Sequence, residues 1–139
     1  MEGTCNCGAV WVKVNDPNLF GSNRRGHICH CTNCKKTAGS DYATNLTIET
    51  EKVTITGEEN LSVYSDPRTG SGTPVDSPIK SMTPLYKGKT VLKLGIFPQI
   101  PNPEWESFVV NRQSWGKPLE GATYYKTKSM GEKVEGGVV

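Results

Sequence analysis

The sequence predicts a mainly β fold, and three observations carry that prediction. Apolar residues fall in short runs that alternate with polar ones at a period of two, as strands with one buried face require. Fifteen glycines and nine prolines make up about 17% of the 139 residues, a composition rich in turns and poor for a helical bundle. No strand–helix alternation of the kind that builds a parallel α/β sheet runs along the chain. The length suits a single domain, 1–139.

The elements follow in order. Val10, Val12 and Val14 alternate with Trp11 and Lys13, so residues 9–14 form a strand, which Asp16-Pro17-Asn18 ends with turn chemistry. Residues 20–27 are an exposed loop. A short helix over 32–38 takes Thr32 as its N-cap and stops at Gly39. Residues 43–50, 53–56 and 61–64 are three further strands, the last two separated by a turn over 57–60. Low apolar content makes 65–84 a long loop, and its Gly70-Ser71-Gly72 lacks the further glycine or lysine of a phosphate cradle. Residues 90–97 are a strand. Pro98, Pro101 and Pro103 then forbid regular structure. Residues 107–110 form one more strand, and 130–139 lack periodicity and fray.

Charge and composition exclude several functions. A formal charge of +2 is too even for a protein that lives on phosphates or anionic lipid. Basic residues are interleaved with acids, without an aromatic–basic stripe, so no nucleic-acid partner is expected. No run of about 18 apolar residues offers a membrane span. Met1-Glu2-Gly3-Thr4-Cys5 lacks the basic-then-apolar pattern of a signal peptide, so the expected location is cytoplasmic. With 35% apolar residues the core is modest, and a metal staple would help it.

Cysteines sharpen the picture. Cys5, Cys7, Cys29, Cys31 and Cys34 all lie in the first quarter of the chain. An odd, clustered set without a secretion signal points to metal rather than to a disulfide framework. Cys29-His30-Cys31-Thr32-Asn33-Cys34 is a C-x-C-x-x-C motif whose three thiolates can converge on one zinc ion at about 2.3 Å. Three protein ligands leave a fourth position for water or substrate, as catalytic sites do. Cys5-Asn6-Cys7 offers two ligands, a poor site alone. With no cysteine after Cys34, that pair either joins the Cys29 cluster or stands without metal. His30, between two ligands, points away. His27 is free to fold back, and as a fourth ligand it would make the site structural. Arg24, Arg25, Lys35 and Lys36 flank the motif; they favour thiolates or are simply solvated. Asp41 is the nearest carboxylate in sequence, a candidate general base or supporting group as well as an ordinary turn residue. Trp11 and Trp105 are assigned to the core or an interface, and Tyr42, Tyr64 and Tyr86 are unranked hydroxyls.

These residues resemble a known family. Gly3-Thr4-Cys5-Asn6-Cys7-Gly8-Ala9-Val10 is similar to the G-x-C-x-C-G-x-V opening of the glutathione-dependent formaldehyde-activating enzymes, a family that includes centromere protein V. Cys29-His30-Cys31-Thr32-Asn33-Cys34-Lys35-Lys36 with Gly39-Ser40 resembles its C-H-C-x-x-C-R-K-x-x-G-S segment. Ser71–Val75 and Thr83–Tyr86 flank the place of its F-C-x-x-C-G, Val91–Gly95 resembles the next strand, and Phe108–Trp115 resembles its C-terminal strand and R-x-x-W. The resemblance covers about 3–120. It implies a β-tent of small antiparallel sheets around two zinc sites, and carbon–sulfur lyase chemistry on adducts of a thiol, typically glutathione, with an aldehyde. By position, Cys29, Cys31 and Cys34 would hold the catalytic zinc, Arg112 joins Asp41 as a candidate catalytic residue, and Arg112 and Trp115 would shape the pocket, unless they merely stack on each other. The family's structural zinc takes the first C-x-C and a late C-x-x-C. Here Pro78 and Ser81 stand where the late cysteines belong. That departure implies an absent or rebuilt structural site and a divergent member, acting on another aldehyde, imine or activated carbonyl in secondary metabolism.

Two functions are therefore expected. The first is a zinc-dependent carbon–sulfur lyase-like enzyme for a small carbonyl or thiol substrate. The alternative is a non-catalytic zinc module in which four or five cysteines close one structural site and the surface binds a protein. Exposed strand edges leave room for a homodimer.

Overall fold

The computed structural model describes residues 1–62, 80–81 and 87–139. Strands β1 (Glu2–Thr4), β2 (Trp11–Val14), β3 (His27–Cys29), β4 (Ala43–Glu49), β5 (Val53–Thr56), β6 (Lys80–Ser81), β7 (Lys89–Lys93), β8 (Trp105–Ser107) and β9 (Thr123–Tyr124) build two sheets, and α1 (Thr32–Ala38) is the α-helix among the described residues. One sheet has three strands in the order β1-β2-β5; the other has six, β6-β7-β4-β3-β8-β9. The fold is mainly β, as expected. Most pairings are antiparallel, but β8 runs parallel to both β3 and β9, so the larger sheet is mixed.

Alternation along β2 turns Val12 and Val14 inward and Trp11 and Lys13 outward. Trp11 is thus exposed, not in the core. Val10, Val12 and Val14 meet Leu46, Ile48, Leu92, Leu94, Phe97 and Leu19 in the hydrophobic core between the two sheets. Gly57 locks this junction: at φ +83 it abuts β2's approach so closely that a Cβ would lie 2.1 Å from the Ala9 carbonyl oxygen.

The helix occupies 32–38, but its N-cap is Cys31 rather than Thr32, and Gly39 closes it in the left-handed conformation at φ 61. His27 begins β3, so the loop expected over 20–27 ends one residue sooner. Leu61 and Ser62 are not in a strand; Val63 and Tyr64 lie outside the described residues, as do most of the 65–84 loop, Pro78 and Tyr86. Lys80–Ser81 is a short strand within that expected loop.

Two expected strands end early for one reason. After β7 the chain enters a 3₁₀ turn at Leu94–Ile96. Residues three apart face opposite sides of a strand but the same side of a 3₁₀ turn, so the turn lets both Leu94 and Phe97 enter the core. After β8, Phe108 takes φ 56 and Val109–Asn111 form another turn, which buries Val109 and brings Arg112 back over β8. The tail expected to fray from 130 is tied down instead. Tyr125 bridges Lys133, the Val134 amide donates to the Tyr124 carbonyl at 3.0 Å, and the Arg112 guanidinium donates to the Gly137 carbonyl.

Leu46 is 1% exposed at the centre of this core. Leu46→Ala is expected to lower unfolding stability by about 2–5 kcal/mol in urea titration, with an unchanged denaturant slope.

Candidate metal centre

Strand β3 lies inside the larger sheet, antiparallel to β4 and parallel to β8. Its alternation sorts the C-H-C segment. His27 and Cys29 share one face. Ile28 and His30 fall on the other, where His30 is held by its amide on the Ser107 carbonyl at 3.0 Å. Cys31 then caps α1: its Sγ accepts the Cys34 amide at 3.4 Å, one turn into the helix. The short strand and the helix start thereby bring the Sγ atoms of Cys29, Cys31 and Cys34 within 4.8 Å of one another.

The donor set fits a thiophilic divalent cation. All three thiols are free, and bonds of about 2.3 Å in a tetrahedral shell need sulfurs about 3.8 Å apart, inside that limit. Cys34 is the group that ionises. Hydrogen bonds from Cys29 and Cys31 draw its thiol far below the ordinary range, and the ammonium of Lys93, 3.6 Å from its Sγ, adds to the effect. Cys29 moves the other way, because its hydrogen bonds to Cys31 and Cys34 and its burial hold its proton. Cys31 is also raised: the bond from Cys29 lowers it, but donation to Cys34 and burial outweigh that.

Lys93 was not singled out by the sequence. It belongs to a row of cross-strand partners, in which Trp105 opposes His27, His27 opposes Asn45 and Asn45 opposes Lys93. The rings of Trp105 and His27 stack with centroids 4.9 Å apart and planes 4° from parallel. Lys93 donates to Asn45 Oδ1 at 2.9 Å, which leaves Asn45 Nδ2 to donate to His27 Nε2 at 3.4 Å. His27 therefore carries its proton on Nδ1, a buried atom without a hydrogen-bond partner. Burial, reinforced by the Lys93 charge, pushes His27 down to about 4 and keeps it neutral at neutral pH. His27 lies outside the sulfur cluster and does not close it.

Three of the four flanking cations are engaged elsewhere. Arg24 donates to the carbonyls of Pro103 and Glu120, Arg25 faces Asp16, and Lys35 reaches the Asn111 carbonyl. Asp41 accepts from Ser40 at 3.2 Å in the turn after α1 and is not part of the cluster. Trp115 is 71% exposed, and the ring under the Arg112 guanidinium is that of Tyr124, 5.9 Å to its centroid, rather than the Trp115 ring of the alternative stack. Cys5 and Cys7 stand with their Sγ atoms 3.0 Å apart, and among the described residues neither joins a metal-binding group of three. The described structure therefore gathers three sulfurs, not the four or five of the alternative closure.

Behind the cluster, Glu106 takes the His30 side of the sheet. Its Oε2 accepts from His30 Nε2 at 2.8 Å and from Arg112 Nη2 at 2.6 Å, while Oε1 accepts the Leu119 amide at 2.6 Å. Burial raises this carboxyl, but His30, the Leu119 amide and Arg112 together outweigh it and hold it at about 2. Sequence reasoning missed Glu106, because only the β3–β8 pairing carries it to His30 across 76 residues.

The sequence profile of the glutathione-dependent formaldehyde-activating enzymes matches residues 1–110. The chain belongs to this family. A Halomonas elongata protein provisionally named a glutathione-dependent formaldehyde-activating enzyme is 40% identical over 65 residues, which cover 46% of this chain and 39% of that relative. The chain thus spans about two fifths of the length of the curated relative it matches. A crystal structure of a Rhodobacter sphaeroides protein, solved in a structural-genomics programme, aligns at TM-score 0.50 and 20% identity over 72% of this chain and 90% of that one. That likeness concerns the fold. Among the described residues, the three-sulfur cluster is the group that could hold a metal ion.

Glu106 links the site to acid stability. Its carboxyl is depressed on folding, so it stabilises the protein fully above about 4.5 and loses that contribution as pH falls towards about 2. Glu106→Gln strands the buried Arg112 and should cost about 3–5 kcal/mol at pH 7. Its stability, followed by urea unfolding at a series of pH values, should then change less than that of the wild type over that acid window.

Proposed function

We propose that this protein is an enzyme that makes or breaks the bond between a thiol sulfur and a carbonyl carbon, at a zinc ion held by Cys29, Cys31 and Cys34. The convergence of three free sulfurs beside a lysine ammonium carries this reading. Its family is named for glutathione and formaldehyde, and its curated relative bears the same name. The reaction is an addition: a thiol and an aldehyde give a hemithioacetal as the sulfur–carbon bond forms and the carbonyl oxygen takes up the thiol proton. The reverse is the lyase direction. Zinc held by Cys29, Cys31 and Cys34 would supply a Lewis acid able to lower a thiol's pKa or polarise a carbonyl.

The chain's own residues prepare that position. Lys93 sets a positive charge against Cys34 and offsets the excess negative charge of three thiolates. Asn45 fixes the lysine head, and His27, backed by the Trp105 ring, fixes Asn45. Glu106 fixes His30 on the far side of the sheet, which holds the backbone between Cys29 and Cys31. The substrate is an aldehyde or a related activated carbonyl, and a cytoplasmic setting would keep the thiols reduced. Loss of the late cysteine pair favours a divergent member over a housekeeping one.

Zinc stoichiometry and zinc-edge X-ray absorption test the assignment. One zinc with three sulfurs and one lighter ligand is expected, and four sulfurs would overturn it. Cys29→Ser, Cys31→Ser and Cys34→Ser should each lose most of the zinc together with thiol–aldehyde exchange, followed by NMR; full exchange in zinc-free protein would sink the enzyme reading. Lys93→Met should retain the fold by circular dichroism yet bind zinc about 10–100-fold more weakly in chelator competition, with Lys93→Arg recovering part of the loss.

A further inference from the structure

The second cysteine pair has chemistry that the three-sulfur site does not use. Cys5 and Cys7 flank Asn6 in the turn between β1 and β2. The Cys5 amide donates to the Val10 carbonyl at 3.0 Å, and the Gly8 amide closes on the Cys5 carbonyl at 2.9 Å. Both thiols are free, Cys7 is exposed and Cys5 is half-buried. Their Sγ atoms are 3.0 Å apart, and the Val10 amide donates to Cys5 Sγ at 3.3 Å. The remaining cysteines of the chain are the three of the other cluster, and Pro78 and Ser81 offer no thiol. Two sulfurs alone do not make a zinc shell.

We propose that Cys5 and Cys7 are a redox-active dithiol that exchanges with low-molecular-weight disulfides to form a reversible Cys5–Cys7 bond. Closing the bond needs the sulfurs to approach by about 1 Å, to about 2.05 Å, at an exposed turn. A crosslink spanning one intervening residue removes little chain entropy, so it belongs with exchangeable disulfides rather than structural ones. Hydrogen bonds from Cys7 first and then from the Val10 amide draw the Cys5 thiol down to about 7, which makes Cys5 the attacking sulfur.

The exchange balances without another reactant. Cys5 thiolate attacks one sulfur of R–S–S–R, forms Cys5–S–S–R and expels RS⁻, which takes up a proton. Cys7 gives its proton to solvent and attacks the Cys5 sulfur; the internal bond forms and the second RS⁻ leaves as RSH. The dithiol loses two electrons and the disulfide becomes two thiols.

Proteolysis separates this pair from the other cluster. Lys13 is the first lysine or arginine, so trypsin places Cys5 and Cys7 alone in peptide 1–13, while Cys29, Cys31 and Cys34 fall in peptide 26–35. Zinc-loaded full-length protein would be equilibrated in mixtures of glutathione and glutathione disulfide, quenched with acid, alkylated and digested. Peptide 1–13 should pass from the doubly alkylated form to an unalkylated form two hydrogens lighter than the dithiol as the disulfide share rises, and return to the alkylated form in reduced glutathione. Cys7→Ser should lose the internal bond entirely and accumulate one glutathionyl group on Cys5. The proposal fails if peptide 1–13 stays a dithiol in excess glutathione disulfide, if both cysteines take glutathionyl groups with no internal bond, or if a second zinc shields the pair. None of these readouts depends on the activity of the three-sulfur site.

Discussion

The pairing of β3 is the constraint on which the site depends. With β4 antiparallel on one side and β8 parallel on the other, the segment from His27 to His30 is held extended. An extended chain sends successive side chains to opposite faces. Cys29 therefore joins the face that carries Asn45 and Lys93, and His30 goes through to Glu106. A slip of one residue would exchange these roles and place the imidazole among the sulfurs. The Glu106 carboxylate opposes such a slip, because it is bonded at once to His30, Arg112 and the Leu119 amide.

Charge is balanced across the sheet rather than along the sequence. Near the cysteine motif, Arg24 and Lys35 spend their hydrogen bonds on distant carbonyls and Arg25 forms an ion pair with Asp16, contacts that tie loops to the body of the protein. The cation at the sulfurs comes from β7, at the end of the row from Trp105 through His27 and Asn45 to Lys93. Each member fixes the next: the ring stack orients the imidazole, the amide bridges it to the ammonium, and the ammonium faces Cys34. A lysine held in this way loses less freedom at the site than a surface lysine would.

The N-terminal turn contrasts with that buried arrangement. Cys5 and Cys7 retain the family's opening motif, and their sulfurs face one another at an exposed turn. The short β1 is firmly anchored by pairing with β2 and by the Met1 amino group on the Val14 carbonyl at 2.8 Å. The turn can therefore change its sulfur chemistry without unseating the sheet. The C-terminal tail, likewise, is more than an appendage, since Arg112 joins its Gly137 carbonyl to Glu106 and so connects the tail to the back of the cysteine segment.

The signals legible in the sequence are local. Period-two valines located β2, the run 43–50 located β4, the turn glycine at 39 ended α1, and the C-x-C-x-x-C spacing identified three sulfurs able to converge. Strand alternation and helix capping act over a few residues, so their signals are written in neighbours. Tertiary structure decided the rest. Lys93 lies 59 residues from Cys34 and Glu106 lies 76 from His30, and no spacing rule spans such distances. The ends of β7 and β8 were set by the need of Leu94, Phe97 and Val109 to enter the core, a demand that overrode strand propensity. Trp115, by contrast, was left in solvent because Arg112 found a buried carboxylate, and a charge-assisted bond out of water outweighs a stack on an exposed ring.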